Sequence, residues 1–62
     1  TLEELKASIN EYAVKAKDLG VLGQAEAIVK ESLGSVTISQ ATEYHYDKLE
    51  AINLAIKDLV SG

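Results

Sequence analysis

The 62-residue chain contains no cysteine, proline, phenylalanine, tryptophan or methionine, and all of its basic residues are lysines. With no cysteine and a single histidine, the staples that small domains usually recruit are missing, and helix packing must supply the stability. The redox compartment stays open, because disulfide-free domains occur on both sides of a membrane. Without arginine there is no planar fork to grip carboxylates or phosphates in a bidentate manner, so lysine point charges and backbone amides must serve instead. The missing large apolar residues leave Leu, Ile, Val and Ala to build the core. No apolar run approaches the roughly 20 residues that span a bilayer, and no basic start followed by an apolar core marks a signal peptide, so no membrane insertion is expected.

What is present is an excess of acid. Ten carboxylates against six lysines leave a net charge of -4, which repels phosphate backbones and the anionic face of membranes and makes nucleic acid an unfavourable partner. A chain this short hides only about 60% of its unfolded surface on folding. One small helical module spanning residues 1–62 is therefore expected. A start at Thr1 and an end in Ser61-Gly62 fit a module excised from a longer protein, and a monomeric module is expected.

Three amphipathic segments follow from the periodicity. Thr1 and Glu4 read as a capping box, in which each side chain satisfies a backbone donor of the other residue. Leu2, Leu5, Ile9, Tyr12, Ala16 and Leu19 then recur at alternating spacings of three and four, one stripe of a helix over 2–19. Gly20 falls where a left-handed C′ residue is wanted. A second helix over 23–33 carries Ala25, Ile28, Val29 and Ser32 or Leu33 as its narrow apolar face, with Gly34 as its stop. At about ten residues it is too short to stand alone.

The third helix is predicted over 38–60, opened by a Thr37 and Gln40 capping box, with Val36 stapled against Ala41 and alternative starts at Ser39 or Thr42. Ile38, Ala41, His45, Leu49, Ile52, Ile56 and Leu59 share one face, widened by Ala51, Ala55 and Val60. Joined by short connectors, the three segments make an all-α, antiparallel three-helix bundle. Val36 to Ile38 resembles a short strand with nothing to pair with.

No spacing carries a catalytic motif, and no enzymatic activity, metal or cofactor is expected. The one compact group of unusual side chains is Tyr44, His45 and Tyr46. The helical neighbours of His45 are Ala41, Thr42, Lys48 and Leu49, which offer no second ligand for a metal. Consecutive helical residues point about 100 degrees apart, so the three rings cannot all be buried on one face. They form a candidate patch for a protein or glycan partner, since amphipathic aromatics favour interfaces. The plainer alternative is a pair of structural tyrosines packed beside an edge histidine. Glu43, Asp47 and Glu50 share a face and read as solvated charge. Glu31-Ser32-Leu33 is similar to the Asp-Ser-Leu of acyl carrier proteins, which implies a small acidic carrier or regulatory subunit as an alternative. In carriers, however, the serine opens a helix, whereas Ser32 is placed at the end of one.

Residues 49–59, Leu-Glu-Ala-Ile-Asn-Leu-Ala-Ile-Lys-Asp-Leu, resemble the last helix of FIVAR ("found in various architectures") modules, whose closing helix reads Leu-x-x-Leu-x-x-Ala-Ile-x-x-Leu. Ala41-Thr42-Glu43 and Asp47 are similar to that family's Ala-Thr-x-Glu helix opening and downstream Asp. The resemblance covers the last third of the chain. It departs from the family in lacking the tyrosine- and tryptophan-bearing connector before the second helix. The resemblance implies a spacer or interaction module of a secreted or wall-attached bacterial protein, such as a carbohydrate-active enzyme or adhesin, and hence an extracellular or cell-wall location. Albumin-binding three-helix modules of bacterial surface proteins are similar in size and class and supply a further alternative. Neither family transfers functional residues to this chain.

Overall fold

A computed structural model describes residues 1–61. It contains α1 (Leu2–Asp18), α2 (Leu22–Leu33), a 3-10 turn at Glu43–His45 and α3 (Tyr46–Ser61). There is no strand among the described residues, so 36–38 is connector rather than β structure. The three helices pack on one another as an all-α bundle, with the most extensive contact between α1 and α3.

Helix α1 is closed at both ends by its own sequence. The Glu4 amide donates to Thr1 Oγ1 at 3.2 Å, and the N-terminal ammonium donates to Glu4 Oε1 at 3.1 Å, so the capping box forms in both directions. Glu3 and Glu4 lie in the first turn and Lys15 and Lys17 in the last, each sign opposing the helix dipole at its end. At the far end Gly20 adopts φ 77°. Its N–H donates to the Lys17 carbonyl at 3.1 Å while the Val21 N–H reaches back to Ala16 at 2.8 Å. This double closure is a Schellman motif, which needs the left-handed residue that glycine supplies. Its geometry corrects one expectation: Leu19 is the C-cap, 60% exposed, rather than the last residue of the buried stripe.

Helix α2 has no such start. Its N-cap, Val21, offers no side-chain acceptor, and its first turn carries no acid. What holds it is burial of Ala25 and Leu33, with Ile28 and Val29 packed against the core. It ends at Gly34, whose φ of 67° and ψ of -124° suit only a residue without a Cβ.

The third helix begins eight residues later than 38, the start the periodicity predicts. The Thr37 and Gln40 box does form: the Gln40 amide donates to Thr37 Oγ1 at 3.3 Å and the Thr37 amide to Gln40 Oε1 at 3.2 Å. It caps a single turn, closed by the Ala41 amide on the Thr37 carbonyl at 3.0 Å. Thr42 is then extended, at φ -116° and ψ -179°, and starts the next segment as an N-cap. Two cap-forming threonines five positions apart both hold backbone amides, and such local side-chain bonds compete with a continuous helix. The broken path still delivers Ala41 to the core and packs Ile38 against it.

From Tyr46 onward the expected face holds. Leu49, Ile52 and Ile56 are fully enclosed, and with Ile9 they are the largest fully buried side chains. Ala51, expected to widen that face, is exposed instead. One polar link crosses from α1 to α3: Ser8 Oγ donates to Asn53 Oδ1 at 2.8 Å in a part-buried position.

Candidate functional site

The candidate patch lies where the second connector meets α3. Thr42 Oγ1 accepts the Tyr44 amide at 3.2 Å, and His45 Nδ1 accepts the Thr42 amide at 3.1 Å. His45 therefore occupies the place that glutamate or glutamine takes in a capping box, closing the 3-10 turn from its far side. Because Nδ1 accepts a backbone proton, the neutral ring carries its own proton on Nε2. The Tyr46 amide then donates to the Glu43 carbonyl and leads the chain into α3.

These bonds set three different exposures. Tyr44 projects into solvent, 96% exposed, while His45 and Tyr46 are half-buried. The Tyr44 and His45 rings meet edge to face, with centroids 6.2 Å apart and planes inclined at 66°. Such geometry suits the aromatic quadrupoles. Tyr44 thus has one aromatic neighbour and is otherwise open to solvent. The turn is bordered by the exposed charges of Glu43, Asp47 and Lys48.

The other sequence candidates are less organised. Glu43, Asp47 and Glu50 are exposed, and among the described residues no group of three or more His, Asp or Glu side chains is placed to hold a metal ion. Ser32 is half-buried near the end of α2. It does not open a helix, as the serine of an acyl carrier does.

Two clefts escaped the sequence reading. One, of about 320 Å³, lies between α2 and the second connector, where Val29, Val36 and Ile38 provide apolar walls beside Glu26 and Lys30. The other, of about 360 Å³, lies between Ile38 and Ser39 of the connector and Glu3, Lys6 and Asn10 of α1. There Lys6 Nζ donates to the Ser39 carbonyl at 3.3 Å. Both depend on the path of 34–42, which helical periodicity assigned in part to α3. The alternation of Val36 and Ile38 was the available signal.

No protein-family model, curated protein or solved structure matches the chain. No described helix is long and apolar enough to cross a membrane.

Proposed function

We propose that the chain is a non-enzymatic interaction module of a larger bacterial surface or secreted protein, of the FIVAR type, and that it meets its partner through Tyr44, His45 and Tyr46. The observation that carries this reading is Tyr44. A tyrosine ring 96% exposed contributes almost nothing to packing of the fold, yet its backbone is fixed by a reciprocal cap and its ring lies edge to face with that of His45. A ring presented from a backbone already fixed by its cap loses less backbone entropy when a partner covers it. Tyrosine is also among the residues that dominate interface energetics.

The reading is tested by recording amide NMR spectra of the chain during titration with neutral oligosaccharides and with serum albumin. Saturable shifts centred on residues 42–47 support the patch. Tyr44→Ala should then weaken binding at least about tenfold, a loss of roughly 1.4 kcal/mol. Shifts centred on α2 with albumin would favour the albumin-binding class. Silence against both probes would reject the patch for these partner classes and leave the spacer role.

A further inference from the structure

The cap that positions Tyr44 is closed by a histidine rather than by the glutamate or glutamine usual at that place, and this makes the turn chemically switchable. The Thr42 amide can only donate, and its acceptor is His45 Nδ1 at 3.1 Å, with Thr42 Oγ1 a further 3.4 Å neighbour of the same nitrogen. A protonated imidazole has two donors and no acceptor. Protonation would thus place one N–H against another across the bond that closes the turn. It would also put a positive charge immediately before Tyr46, at the start of α3, where the helix dipole already presents positive potential.

Among the described residues, the charged groups around the turn make no ion pair or hydrogen bond with His45. Glu43 and Asp47 are the nearest acids in sequence and Lys48 the nearest base, all exposed on the same segment, with the Tyr44 and Tyr46 phenols beside them. On the connector, Thr37, Gln40 and Thr42 are uncharged, and the cation that α1 brings to this connector, Lys6, is engaged by the Ser39 carbonyl. The ion pair formed among the described residues is that of the N-terminus with Glu4, at the start of α1.

From this geometry we infer that the Thr42–His45 box is an acid-sensitive latch. With neutral His45 the 3-10 turn is closed and Tyr44 is held. When His45 takes a proton, the Thr42 amide loses its acceptor and the turn carrying Tyr44 loosens, while the bundle core of Ile9, Leu49, Ile52 and Ile56 stays folded. This property belongs to the turn itself and does not require that any partner bind there.

The test is an NMR titration of the unliganded chain from about pH 8 to about pH 5. The Thr42 amide proton is expected to move upfield in step with the His45 ring signals, while the amides of Leu49, Ile52 and Ile56 hold their positions. In His45→Gln, whose side-chain carbonyl can keep the box closed at every pH, the Thr42 amide should stay still. The inference is overturned if the wild-type ring titrates while the Thr42 amide does not move, or if that amide moves equally in His45→Gln. Neither outcome bears on whether the patch binds a partner.

Discussion

At the scale of single residues, two glycines three positions apart should respond oppositely to the same substitution. Gly20 holds φ 77°, whereas Gly23 lies in the first turn of α2, and an added Cβ would meet nothing within 4 Å at either site. Packing therefore contributes to neither change, and backbone conformation decides both. Gly20→Ala should destabilise the chain by about 1 to 2 kcal/mol, because an L side chain in the left-handed region crowds its own carbonyl. Gly23→Ala should stabilise it by about 0.5 to 1 kcal/mol through lower unfolded-state entropy. Urea denaturation of the two variants measures this, and shifts of the same sign would contradict it. The role of Gly20 was legible because a glycine directly followed the last stripe residue. That of His45 was not, since a histidine closing a capping box is indistinguishable in sequence from an edge core residue. The Ser8 to Asn53 link was equally hidden, because its partners are 45 positions apart.

At the scale of elements, α3 dominates the core. Three of the four largest fully buried side chains, Leu49, Ile52 and Ile56, belong to it. Ile52→Ala should cost about 2 to 5 kcal/mol, the range for emptying a fully enclosed aliphatic site. A change below about 1 kcal/mol in the denaturation midpoint analysis would mean that the site collapses around the loss or is not enclosed in solution. The apolar face of this helix was plain from 49 onward, where spacings of three and four repeat without competing caps. Its start was not. Residues 38–45 satisfy the same period, but Thr37 and Thr42 each offer the backbone a local alternative, and periodicity carries no information about which hydrogen bonds win. The clefts beside Val36 and Ile38 follow from that outcome and were illegible for the same reason.

At the scale of the whole molecule, the radius of gyration of 10.5 Å matches the roughly 10.6 Å expected of a folded domain this long. A small core leaves a thin stability margin, so electrostatics at a single helix end should be measurable. Glu4 is held below the ordinary glutamate value by its hydrogen bond with the N-terminal ammonium, then by one with Thr1, then by the charge of the ammonium. A depressed value in the folded state adds stability above the ordinary glutamate range and loses it as pH falls through the depressed value. Glu4→Gln should therefore melt further below the parent chain at about pH 6 than at about pH 3. N-terminal acetylation should narrow the pH 6 difference. Melting curves showing the same gap at both pH values would rule out this linkage.

The extensive contact between α1 and α3 also has a mechanical side. The described chain enters through α1 and leaves through α3, so tension applied at its ends loads the broadest of the helix interfaces first. Pulled from its ends in a single-molecule experiment, the 62-residue chain should therefore resist extension chiefly through the α1–α3 contact.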